Sequence, residues 1–264
     1  MRIGISTGSF FPKKYTEDTF DLIRELDINC VEVFLSSFCE YTPEFAQTLL
    51  ERKGDLEIFS VHTLNQNFEP ELFNSSERTR TDCEFFYKQT AHVAKVLNAK
   101  YYVFHGPARL GKRVYNINYE TFGARCTVLN GMLKELGGGC ELLYENVHWA
   151  FFSSPDFYLN LKKHTEIGAC LDIKQAMQSG ISVYDYINAM GGRLKNVHLC
   201  DFDDNGKLLM PGKGTFDFVK LFRTLYSIGY NGPLMIEVYS GAYQDFNEIK
   251  DSVNFLNDCL RKAK

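Results

Sequence analysis

The chain alternates between short apolar runs and longer stretches in which apolar residues return every three or four positions. The short runs are Ile3 to Ser6, Cys30 to Leu35, Leu56 to Val61, Tyr101 to Phe104, Glu141 to Val147, Ile167 to Leu171, Leu194 to Val197 and Pro233 to Ile236. Their length and bounding glycines suit buried strands better than helices. Between them, helical spacing runs over Thr16–Leu26, Pro43–Arg52, Glu77–Leu97, Tyr119–Leu136, Pro155–Lys163, Val183–Met190, Phe216–Ile228 and Asp245–Leu260. Punctuation agrees with this division. Thr42 precedes Pro43 as an N-cap before a proline at the first helical position, and Gly137–Gly139, Gly191–Gly192 and Gly229 follow helices.

Eight strands alternating with eight helices predict parallel pairing, because parallel sheets need helices over their outer faces. The expected fold is α/β, a single (β/α)8 TIM barrel spanning residues 1–264 as one domain. The 264 residues are close to the ~250 typical of that architecture. In such a barrel the C-terminal strand ends share one mouth, where chemistry is placed. Six of the apolar runs here end on an acid or a histidine: His62, His105, Glu145, Asp172, His198 and Glu237. Distant in sequence, they would converge in space.

Composition narrows the function classes. With 45% apolar residues, 23% charged residues and a net charge of -4, the chain lacks the basic footprint of a nucleic-acid binder. No apolar run approaches the roughly 18 residues of a membrane span. The chain enters an apparent strand at Arg2, so no signal peptide is expected. Its eight cysteines contain no Cys-x-x-Cys pair, so we expect reduced thiols and a cytoplasmic protein.

Glu145, Asp172, His198 and Glu237 come from consecutive strands five to eight. Three carboxylates and an imidazole in one mouth would repel unless a cation joined them. Carboxylate oxygens and a neutral imidazole suit one divalent metal ion, manganese first, with Mg, Co or Zn also compatible. Any one of them alone would sooner be read as capping a strand by pairing with a nearby Lys or Arg; four in succession favour the metal. His62 and His105 are expected to contact substrate, or to ligate a second metal. Glu32, Lys207 and Trp149 complete the expected substrate contacts, Glu32 being alternatively a buried polar residue of the core. Lys207, Lys213 and Arg109 are candidates for a substrate phosphate, and the amides of Pro211–Gly214 for an anion ahead of a helix; a plain turn is the alternative there. Phe10, Phe11, Trp149, Phe151 and Phe152 could wall a pocket. His92 and His164 read as surface or packing residues, and no role is assigned to His148.

Taken in order, His62, His105, Tyr-Glu-Asn at 144–146, Leu-Asp-Ile-Lys-Gln at 171–175, Val-His-Leu-Cys-Asp at 197–201, Pro-Gly-Lys-Gly at 211–214 and Ile-Glu-Val at 236–238 resemble the xylose isomerase-like TIM barrels. Within these the chain is most similar to the sugar phosphate isomerase/epimerase group, distant relatives of endonuclease IV. The resemblance implies that Glu145, Asp172, His198 and Glu237 are the four metal ligands of ketose 3-epimerases, with Glu145 and Glu237 as the catalytic acid/base pair. It also shows a departure. Most relatives carry Asp-x-x-His after strand six, whereas Gln175 stands here, and residues 202–216 contain no histidine. The resemblance implies substrate contact at this position, and glutamine hydrogen-bonds hydroxyls but does not titrate, so Gln175 is expected to bind substrate. A one-metal sugar site therefore fits better than a three-metal nuclease site. The expected activity is metal-dependent isomerisation or epimerisation of a sugar, sugar phosphate or polyol through an enediolate. The partner is a small carbohydrate, with neither membrane nor nucleic acid, and homo-oligomerisation is left open. An abasic-site phosphodiesterase, a dehydratase and a non-catalytic sugar-binding barrel are the alternatives on the same scaffold.

Overall fold

Eight parallel strands close on themselves in a computed structural model that describes residues 1–64, 67–108, 117–150 and 154–264. They are β1 (Arg2–Ser6), β2 (Cys30–Leu35), β3 (Glu57–Thr63), β4 (Tyr101–Phe104), β5 (Glu141–Glu145), β6 (Gly168–Asp172), β7 (Leu194–Leu199) and β10 (Pro233–Ile236). Their hydrogen-bonded order is β1-β10-β7-β6-β5-β4-β3-β2. The helices are α1 (Thr19–Glu25), α2 (Pro43–Lys53), α3 (Glu77–Val96), α4 (Tyr119–Leu136), α5 (Pro155–Leu161), α6 (Ile173–Gln178), α7 (Val183–Met190), α8 (Phe218–Ser227) and α9 (Asn247–Ala263). Thus the (β/α)8 barrel expected from the apolar pattern is the fold.

Three details differ from the sequence expectation. The segment expected to be one helix from Thr16 opens as a 3-10 turn (Thr16–Asp18) before α1 begins. There the Thr16 hydroxyl donates to the Phe34 carbonyl and so ties the turn to β2. The polar segment 201–214 contains a hairpin, β8 (Asp201–Phe202) against β9 (Leu208–Leu209). Helix α6 was not anticipated. It is too short to display a period, and it starts because the Asp172 side chain accepts from the Gln175 amide as an N-cap.

Strand alternation explains how one chain supplies both a dry interior and a polar mouth. Side chains two apart share a face, so Leu143 lies below Glu145, Cys170 below Asp172, Asn196 below His198, and Met235 below Glu237. Val103, Leu143 and Cys170 form one buried cluster, and Cys30, Phe59 and Met235 another, both separate from the main core between strands and helices. Gly4 is needed at the latter cluster. A β-carbon there would stand 2.5 Å from the Met235 sulfur and 2.7 Å from the Cys30 carbonyl. Register then aligns the polar ends, with Asp172 opposite His198 and Met235 also opposite His198 on its other side.

Candidate active site

The four strand-end residues meet. One donor atom from each of Glu145, Asp172, His198 and Glu237 lies within 4.8 Å of the others. The Glu145 Oε2 stands 3.9 Å from His198 Nδ1, 3.4 Å from His105 Nε2 and 3.8 Å from His62 Nε2. Glu237 Oε2 lies 3.1 Å from His198 Nδ1, and Glu237 Oε1 lies 3.5 Å from His62 Nδ1. Glu145, Asp172 and His198 are all buried. Yet Glu145 Oε2, Asp172 Oδ2 and His198 Nδ1 have no hydrogen-bond partner. Buried polar atoms are nearly always paired, and three such atoms facing one another make a donor set that a divalent cation would fit.

The layer below supports that fit. Glu32 is fully buried and accepts from the Ser60 hydroxyl at 2.7 Å, the Asn196 amide at 2.9 Å and His198 Nε2 at 3.1 Å. Its other oxygen lies 3.3 Å from His62 Nδ1. With Nε2 donating downward, His198 presents Nδ1 to the cluster, the arrangement by which carboxylates orient metal-binding imidazoles. Of the two expectations for Glu32, substrate contact and a buried polar residue of the core, its place beneath the mouth is the second, because β2 turns it inward one layer below Phe34. Asn146 performs a similar service: its side chain donates to the Asp172 carbonyl at 2.9 Å and accepts the Asp172 amide at 2.7 Å, locking the end of β6 to that of β5.

A cavity of about 350 Å³ opens above the cluster. His62, His105, Glu145, Lys174, Gln175 and Glu237 form its polar floor, and Phe11, Phe34, Trp149 and Tyr239 its aromatic walls. His62, His105, Gln175 and Trp149, the expected substrate contacts, thus line this cavity. The two histidine rings touch through their Nε2 atoms at 2.9 Å, and Trp149 packs 5.6 Å from His105. Gln175 Oε1 accepts both the amide and the ring Nδ1 of His148, giving that histidine a fixed place.

Other expectations are not brought to the cavity. Lys207 is exposed on the segment joining β8 to β9 and does not line it; Phe10 is buried in the core. The amides of Gly212 and Gly214 already donate to an anion, the carboxylate of Asp201, at 2.9 and 3.0 Å. That loop is thus a turn organised by the chain itself. Arg109, Phe151 and Phe152 lie outside the described residues.

Two residues of the site carry no signal we read in the sequence. Glu69 is fully buried and accepts from Thr63, Tyr102 and the His105 amide at 2.7, 2.6 and 2.9 Å, holding His105 from behind. Lys174, in the first turn of α6, is only 6% exposed, and its ammonium lies 3.3 Å from both Asp172 Oδ2 and Glu237 Oε2. A lysine pairing with strand-end acids was the bland alternative, and for these two acids the lysine exists.

These charges shape one another. Burial pushes Asp172 up to about 7, with Lys174 opposing. Burial also acts to raise Glu237, but His198 and then Lys174 outweigh it and hold the group well below the usual carboxylate range. Burial would lower His62; hydrogen bonds to Glu237 and Glu32 outweigh it and raise the imidazole to about 10.

Comparison with known proteins agrees with the fold. A model of the xylose isomerase-like TIM barrel family matches residues 20–259. The chain belongs to that family. An uncharacterized protein of Mycobacterium tuberculosis is 22% identical over 273 residues, covering 94% of this chain and 92% of its own. The solved structure of an L-ribulose 3-epimerase superposes with a TM-score of 0.81 at 17% identity, over 99% of this chain and 95% of that one. A D-tagatose 3-epimerase-like protein gives a TM-score of 0.80 at 18% identity, over 100% and 98%. At these identities the structures establish the shared barrel.

Proposed function

We propose that this xylose isomerase-like barrel is a divalent-metal-dependent isomerase or epimerase of a small carbohydrate. The observation that carries the reading is the convergence of Glu145, Asp172, His198 and Glu237, with buried donor atoms on three of them that make no hydrogen bond. The epimerase names of the structural neighbours point the same way. Glu145, Asp172, His198 and Glu237 would hold the ion, manganese being our first choice for this donor set. When bound, a divalent cation polarises a carbonyl and offsets negative charge developing on neighbouring oxygens.

The rest of the chemistry falls to the protein. Glu145 and Glu237 both reach the cavity floor, and one removes the proton beside the substrate carbonyl while the other returns one. Delivery to the opposite face of the same carbon gives epimerisation; delivery to the neighbouring carbon gives aldose–ketose exchange. His62, His105 and Gln175 present hydrogen-bonding groups to hydroxyls. Phe11, Phe34, Trp149 and Tyr239 cover the apolar face of a sugar ring and keep bulk water from the exchanging proton. Deuterium incorporation from solvent across a panel of ketoses, with manganese present, tests the scheme. Exchange at the carbon beside the carbonyl is expected, and E145Q and E237Q should each slow it by about 10²- to 10⁴-fold. Wild-type turnover in both variants would exclude carboxylate proton transfer. Nicking of abasic duplex, or loss of water from a substrate, would move the assignment to the phosphodiesterase or dehydratase alternative.

A further inference from the structure

Lys174 occupies the candidate metal site from within. Its ammonium is buried and rests between Asp172 Oδ2 and Glu237 Oε2, 3.3 Å from each. The other Asp172 oxygen is committed to the Gln175 amide, leaving Oδ2 as the atom the cluster can offer a cation. A buried ion pair is a poor source of stability by itself, since desolvation offsets most of its attraction. Here it places a positive charge among three clustered carboxylates that would otherwise face one another. The same ammonium lies 5.0 Å from the ring centre of Tyr239, which lines the cavity wall and is more than half exposed. A cation–π contact of that kind gives the side chain a second resting place directed at the cavity.

We propose that Lys174 is a built-in counter-cation: it holds Asp172 and Glu237 together in the metal-free protein and is displaced from between them when a metal binds. The residue then sets how tightly the site takes metal, because every ion that enters must displace an ammonium. The inference rests on the metal site proposed above.

Calorimetric titration of chelator-treated wild type and K174M with manganese tests it. K174M should bind manganese at least tenfold more tightly. Its metal-free thermal midpoint should fall below that of wild type, and saturating manganese should close the gap. A folded K174M that binds manganese with wild-type affinity or more weakly overturns the role of Lys174 while leaving the metal site standing. Absence of manganese binding to both proteins overturns both. Should metal-free K174M fail to fold, lysine acylation of wild type mapped by mass spectrometry decides. Lys174 should be modified severalfold faster with manganese than with chelator, and an equal or slower rate overturns the proposal.

Discussion

Under the proposed function, single residues at the barrel mouth divide into those that would meet a cation and those that aim them, and Glu32 belongs to the second group. It is sealed beneath His198 and His62 and takes three hydrogen bonds on one oxygen. Removing its charge should weaken manganese affinity by about 10- to 100-fold, as loss of an orienting partner typically does. E32Q, checked for folding by circular dichroism and titrated calorimetrically, measures this; unchanged affinity would contradict the orienting role. Glu145, Asp172, His198 and Glu237 were legible in the sequence because each ends an apolar run, and strand alternation turns such a residue into the mouth. Lys174 was not. One lysine just past a strand end reads as a solvated charge until the short turn of α6 folds it back over Asp172. Glu69 was equally hidden, since its partners Thr63, Tyr102 and His105 come from β3 and from the strand and strand end of β4.

Among the elements, the hairpin of β8 and β9 is tied to the loop that follows it by one carboxylate. Asp201 accepts from the amides of Phe202, Gly212, Gly214 and Phe216 at 2.9, 2.9, 3.0 and 3.0 Å. A side chain at Gly214 would collide with that carboxylate, which explains the second glycine of Pro211-Gly-Lys-Gly214. D201A strands four donors around an emptied position and should cost about 2–3 kcal/mol, the scale of hydrogen bonds to a charged group. Urea unfolding reads that loss, and manganese affinity should stay near wild type because Asp201 points away from the cluster. The glycine-rich segment was legible as a turn into α8. Its partner was not, because a loop glycine facing a phosphate and one facing the chain's own aspartate look alike in sequence.

At the scale of the molecule, the barrel converts four distant strand ends into one site. The helices and strands followed from periodicity alone, while the 3-10 entry to α1, the hairpin and α6 depended on side chains reaching across the fold. What the closed sheet adds is register: Asp172 opposite His198, and Glu145 and Glu237 brought in from the strands on either side. The proposed function depends on that convergence serving a cation. Crystals of the protein grown with manganese and measured at wavelengths on either side of the manganese absorption edge test it most directly. The account predicts one anomalous peak bounded by Glu145, Asp172, His198 and Glu237, with Lys174 withdrawn toward Tyr239. A fully manganese-soaked crystal with no peak there, and the four side chains still arranged around the lysine ammonium, would contradict it.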